Sequence, residues 1–224
     1  MMNGITFDRP IFVTGMSRSG TSMTAGIFHL CGAWGGMMVR SNPANRKGEY
    51  ENQAIREMII KPYLRMSGCD VQGLVSLPKA QGNMPAFDFS SRIRSVLVRQ
   101  GYRGKSWFYK DSRLCLVWKQ MSKEFPDAKW ILVRREESDI IASCMKTGYM
   151  PTRTEEGWRE WISYYSQRME EMRHCGLDCT EIWPTRFIMG DWSEIKTACS
   201  KLGLEWKDAE VKSFIDPKLY GGAR

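Results

Sequence analysis

A short apolar run, a glycine-bounded turn and the start of a helical pattern follow one another in Pro10-Ile-Phe-Val-Thr-Gly-Met-Ser-Arg-Ser-Gly-Thr-Ser-Met-Thr24. Ile11 to Val13 has the length and composition of a buried strand. The turn from Gly15 to Gly20 then opens a helix near Thr21. This order builds an anion cradle, because loop amides and the first helical N–H groups converge where the helix dipole favours negative charge. Gly15 and Gly20 have the spacing of a phosphate-binding Walker A loop, but Thr21 stands where that loop carries lysine. The cation of the loop is Arg18.

The rest of the chain bounds what such a loop can serve. At 224 residues it suits one α/β domain covering 1–224, with a substantial core. Its 33 basic and 25 acidic residues give a net charge of +8, which favours an anionic ligand and is also compatible with nucleic acid or an anionic membrane surface. The seven cysteines are odd in number and mostly in apolar contexts, which implies reduced thiols. Cys175 and Cys179 lie near His174 without two further ligands at recognisable spacing, so no metal is expected. With no leader-like start and no long apolar run, the expectation is a soluble, cytoplasmic protein.

Apolar spacing predicts helices at Thr21–Leu30, at 53–66 with a bend at Pro62, at 90–100 with Arg92, Arg94 and Arg99 on a solvated face, and at 114–125, 136–146 and 155–174. Strands are expected at 106–109, 130–133 and 187–189. Asp191 to Glu194 has a capping-box pattern for a helix ending near Leu202. Residues 67–89 have no clear period and are the candidate for a mobile insertion or lid. The alternation of strands and helices implies a three-layer α/β/α fold with a central parallel sheet. In such sheets ligands sit beyond the strand C-termini. Two more charged strand ends, Lys110-Asp-Ser-Arg113 and Val133-Arg-Arg135, should therefore join the glycine loop at one edge.

Taken together, Arg18-Ser-Gly-Thr-Ser22, Lys110-Asp-Ser-Arg113 and Val133-Arg-Arg-Glu-Glu-Ser-Asp-Ile-Ile-Ala-Ser143 resemble the motifs of the sulfotransferases that use 3′-phosphoadenosine-5′-phosphosulfate (PAPS), the bacterial type most closely. Gly48-Glu-Tyr-Glu-Asn52 resembles a further segment of these enzymes. The resemblance implies a P-loop-like fold and transfer of a sulfuryl group to a hydroxyl or amine of a small-molecule, saccharide or peptide acceptor, leaving PAP. It implies that Ser17, Arg18, Ser19, Gly20, Thr21 and Ser22 hold the 5′-phosphosulfate, with Arg18 at the bridging oxygen. It implies that Arg135 and Ser143 hold the 3′-phosphate and that Glu51 is the base, with Lys110 beside it. Glu49 and His29 are the other base candidates. The chain departs from the family in placing Met16, Ser112 and Glu136 where many members have proline, and Met23 where cytosolic eukaryotic members have an adenine-stacking tryptophan.

Plainer readings stand beside these. Lys110, Asp111 and Arg113 suit an internal ion cluster as well as ligand contact. His29 suits a packing role, and Trp158, Trp161, Tyr164 and Tyr165 have the three-to-four spacing of an ordinary core face. The competing functions are a nucleotide kinase or hydrolase with a degenerate Walker loop, against which the missing lysine counts, and a basic nucleic-acid-binding module, against which the dispersed charge counts. Acceptor choice is expected to lie in 67–89 and 149–160.

Overall fold

The computed structural model describes residues 6–41, 45–77, 85–148, 150–151 and 153–220. Its centre is a parallel sheet of four strands in the order β2-β1-β3-β4: β1 (Pro10–Gly15), β2 (Trp107–Lys110), β3 (Lys129–Val133) and β4 (Asp178–Ile182). Alternate residues of each strand enter opposite layers, as the pleat requires. Phe12, Trp107, Tyr109, Trp130 and Leu132 pack into one core with α4 (Phe89–Arg99), α5 (Leu114–Glu124) and α7 (Glu155–His174). Ile11, Val13, Phe108, Ile131, Val133 and Ile182 pack into the other with α1 (Thr21–Leu30), α9 (Ser193–Lys201) and α10 (Asp208–Phe214). This is the expected three-layer α/β/α arrangement.

Between α1 and α4, Gln53–Ile55 (α2), a π turn at Arg56–Ile60 and Lys61–Met66 (α3) follow without a break, and Pro62 stands at the start of α3. Proline lacks the N–H that a regular ladder would use, so the interruption falls just before it. Helix α6 (Glu137–Met145) follows β3 and places two acids in its first turn.

The fourth strand is not where periodicity put it. Phe187 lies in a short helix, α8 (Pro184–Ile188), opened by Pro184, and the strand is Asp178–Ile182. Among the described residues β4 is an edge strand paired with β3 and is largely half-exposed, so its residues are mostly polar and carry no apolar signal. The capping box also fails to form. Asp191 accepts from the Ser193 N–H and hydroxyl, while Glu194 turns away to accept from the Trp183 N–H at 2.5 Å. After α10 the chain ends its described part in a 3₁₀ turn, Pro217–Tyr220.

The aromatic positions of α7 are core, with Trp158, Trp161 and Tyr165 buried. Two of them also hold the irregular stretch after α3. The Gly73 carbonyl accepts from Trp161 Nε1 at 2.9 Å and from the Tyr165 hydroxyl at 3.0 Å, and the Asp70 carboxylate accepts from the N–H groups of Gln72, Leu74 and Val75. Of the stretch 67–89, residues 67–77 and 85–88 are therefore bonded to their surroundings, with Tyr63 donating to the Pro85 carbonyl. Residues 78–84 lie outside the described part. All seven cysteines are free, no group of side chains that could hold a metal occurs among the described residues, and no helix there is long and apolar enough to cross a membrane.

Candidate active site

Strand β1 ends at Gly15, and the loop that follows is bent by two left-handed residues, Arg18 (φ 71°) and Gly20 (φ 99°). At Gly20 a glycine is needed twice over: a Cβ there would lie 2.9 Å from Pro184 Cγ and 3.2 Å from the Tyr220 ring. The Ser19 N–H closes the loop on the Met16 carbonyl at 3.1 Å. Helix α1 then begins with no side-chain cap and no acid in its first turn. Its leading N–H groups have no intrahelical acceptors, so the helix presents uncompensated donors and the positive end of its dipole to the loop.

Arg18 and Arg135 are built into one grip. Arg135, at the end of β3, donates to the Arg18 carbonyl and the Tyr220 carbonyl, both at 2.8 Å, and its guanidinium lies 4.0 Å over the Tyr220 ring. Arg18 Nε in turn donates to Ser143 Oγ on α6 at 2.9 Å. The neighbouring Arg134 points elsewhere, into an ion cluster with Glu170 and Glu181.

A second group of charges stands at the end of β2. Glu51 is buried and accepts from Lys110 Nζ at 2.8 Å, Arg113 NH2 at 3.0 Å and Arg56 NH1 at 3.2 Å. Arg113 also forks onto Asp111 at 2.6 and 2.9 Å, and Asp111 accepts from the Tyr109 hydroxyl at 2.6 Å. Burial by itself would raise the pKa of Glu51, but the charges of Lys110 and Arg113, with Arg56, hold it down to about 2. Arg113 is held fully charged by Asp111 and Glu51 against the opposing effect of its own burial. Arg56 carries the network outward to Glu49 at 2.6 Å.

Both groups line one cavity of about 1320 Å³ at the C-terminal ends of the strands. It brings together Ser17, Arg18, Gly20, Thr21, Ser22, Glu51, Lys110, Arg135 and Ser143, and Glu49 joins them. Two expected residues are not at its wall. The Ser19 side chain is fully buried, its Oγ lacks a hydrogen-bond partner, and it does not line the cavity. His29 is exposed on α1, bonded through Nδ1 to the Ala33 carbonyl, and lies off the cavity. Lys110 and Arg113 fit both readings of their motif, since they form an internal ion cluster and also line the wall.

Arg56 and the strap formed by Phe214, Asp216, Lys218, Leu219 and Tyr220 also line the cavity, where no sequence motif placed them, while Gln72 and Leu74 belong to the 67–89 stretch expected to shape acceptor choice. The available signal for the strap was glycine. A Cβ at Gly26 would lie 2.4 Å from the Phe214 ring, so a helical glycine on α1 marks where a distant chain crosses.

These features define a P-loop-like α/β/α protein with an anion-ready cavity at its strand ends. The sulfotransferase family model matches residues 10–208, and the chain belongs to that family. No curated protein sequence matches it. Among solved structures, the sulfotransferase domain of the Synechococcus PCC 7002 olefin synthase aligns with a TM-score of 0.61 at 14% identity, covering 99% of this chain and 89% of that one. The sulfotransferase STF1 of Mycobacterium tuberculosis H37Rv aligns with a TM-score of 0.58 at 14% identity, covering 94% and 71%. At this identity the likeness is one of fold.

Proposed function

We propose that this protein transfers the sulfuryl group of PAPS to a hydroxyl or amine acceptor and releases PAP. One observation carries the reading: Arg135, Arg18 and Ser143, from a strand end, a loop and a helix, form a continuous hydrogen-bonded chain beside the uncapped start of α1. The residues fit the donor. Gly20 gives the loop its left-handed turn, and two arginines with hydroxyls from Thr21, Ser22 and Ser143 form the donor set a bridging phosphate and a 3′-phosphate require.

PAPS, when bound, supplies an activated sulfuryl group. The loop amides and Arg18 would neutralise the charge that develops on the departing phosphate, and Arg135 with Ser143 would fix the 3′-phosphate. Lys110 lies within reach of both Glu51 and the cavity, so it can turn toward the transferred group. Losing that partner removes part of what depresses the Glu51 pKa, so the carboxylate becomes a better acceptor for the hydroxyl proton as the site fills. Glu49, joined to Glu51 through Arg56, is the second carboxylate at the wall.

The test is binding without metal. PAP should raise the melting temperature in the presence of a chelator, and ATP with Mg²⁺ should leave it unchanged. Stabilisation by ATP with Mg²⁺ and not by PAP would assign the cavity to nucleotide phosphoryl chemistry instead.

A further inference from the structure

The strap is built to deliver one side chain. Its start is pinned at Phe214, whose ring packs edge-on against Tyr50 at 5.9 Å and whose carbonyl accepts from the Lys47 ammonium. Asp216 and Pro217 then open a tight turn. The Asp216 carboxylate accepts from the Lys218 N–H at 3.0 Å and its carbonyl from the Leu219 N–H at 3.1 Å, while proline presets φ. The turn ends on Tyr220, which is buried with its ring beside Gly20 and its hydroxyl 3.3 Å from that of Thr185. Burial pushes the phenol above its ordinary pKa, so the ring stays neutral.

Two arginines follow β3, and their partners differ in charge. Arg134 lies against Glu170 at 2.5 Å and Glu181 at 2.7 Å, carboxylates that cancel its charge. Arg135 is held by neutral groups: the Arg18 and Tyr220 carbonyls at 2.8 Å each, and the Tyr220 ring 4.0 Å from its guanidinium. The Asp139 carboxylate, four residues on, stands off at 3.7 Å. Carbonyl dipoles and a ring face orient a guanidinium without cancelling its charge. The Arg135 side chain is only 3% exposed, so its direction is set before a ligand arrives and its pull on an anion is weakly screened. Tyr220 supplies two of these three neutral contacts, one from its backbone and one from its side chain.

We infer that Tyr220 is a positioning residue of the donor site: its ring holds Arg135 away from Asp139, and so sets the preference for a nucleotide that carries a 3′-phosphate over one that lacks it. The inference rests on the sulfotransfer reading, which takes PAPS as the donor. Without the ring, the guanidinium closes on Asp139, and the ion pair cancels the charge that a 3′-phosphate would meet. The 5′ side of the site keeps its own contacts, since Ser19 N–H bonds the Met16 carbonyl and Arg18 bonds Ser143.

The experiment is calorimetric titration of the full chain with PAP, which is adenosine 3′,5′-bisphosphate, and with AMP, which lacks the 3′-phosphate. Tyr220→Leu should weaken PAP binding by about tenfold and leave AMP binding unchanged. Tyr220→Phe keeps the ring and should hold both affinities within about twofold of the wild type. Asp139→Asn added to Tyr220→Leu should restore most of the PAP affinity, a recovery that a merely structural role for the ring would not give. Tyr220→Met, which fills a similar length without a ring, repeats the test if Tyr220→Leu does not fold. An equal loss for PAP and AMP would set Tyr220 against the nucleoside and overturn the inference. Tighter PAP binding, an unchanged preference, no recovery with Asp139→Asn, or a wild type that binds PAP no better than AMP overturns it too. A wild type that does not bind PAP at all overturns the sulfotransfer reading instead.

Discussion

Arg18 Nε donates to Ser143 Oγ at 2.9 Å across 125 positions of sequence. The loop after the first strand and the helix after the third are thereby a single grip, and Arg135 closes it from below by holding the Arg18 carbonyl. An anion bound at the loop and one bound at α6 must be sensed by the same guanidinium pair.

Arg18 occupies the left-handed region at φ 71°, which costs an L-residue roughly 1–2 kcal/mol. Arg18→Gly should therefore raise the melting temperature while weakening PAP binding by about tenfold or more, the loss of a charged hydrogen-bond donor. Thermal unfolding and calorimetric titration on the same variant check both signs. A gain in stability without a loss of affinity would remove Arg18 from the donor site.

Replacing Glu51 by glutamine should lower kcat by about 100-fold or more with PAP affinity nearly unchanged. It should also destabilise the fold by about 3 kcal/mol, because Lys110 and Arg113 lose their buried counter-charge. Glu49→Gln should spare stability, since Glu49 is half-exposed and its ion pair with Arg56 lies at the outer side of the network. If Glu49→Gln alone abolished turnover, the proton would go to Glu49.

The same carboxylate sets a pH dependence. Glu51 has a folded pKa of about 2, below its ordinary value of 4.5, so the unfolded chain takes up the proton first as pH falls. Its stabilising contribution is complete above about pH 4.5 and is lost as pH falls toward 2. Unfolding free energy followed through this window should drop in the wild type, and the drop should be smaller in Glu51→Gln.

Gly26→Ala should displace the strap. The new methyl would meet the Phe214 ring at 2.4 Å and Tyr50 at 3.0 Å, so a cost of about 1–3 kcal/mol is expected, with weaker PAP binding because Tyr220 follows on the same segment. Gly157→Ala is the control. Its Cβ would meet only ordinary contacts beyond 3.4 Å in the first turn of α7, so it should be neutral or stabilising by up to about 1 kcal/mol.

Local order made much of this molecule legible in its sequence. Strand β1, the glycine loop and α1 are contiguous, and each depends on apolar spacing and turn chemistry within a few residues. That Arg135 and Ser143 stand at one cavity wall follows from the same local order, both belonging to the β3–α6 unit. Buried strands spoke through apolar runs, whereas β4, at the edge and polar, did not.

The sequence by itself determined the three-layer α/β/α class, the anion-ready loop and the charged strand ends, because a parallel sheet carries every strand terminus to one edge. Only the tertiary structure decided what those charges do. It turned Ser19 inward and left His29 outside. It surrounded Glu51 with Lys110 and Arg113 from the end of β2 and Arg56 from the π turn after α2, and brought Tyr220 and Phe214 from the far end of the chain over Gly20 and Gly26. Such contacts join residues with no shared period or motif. Their energies depend on burial and on distances through space, neither of which has a signature along the chain.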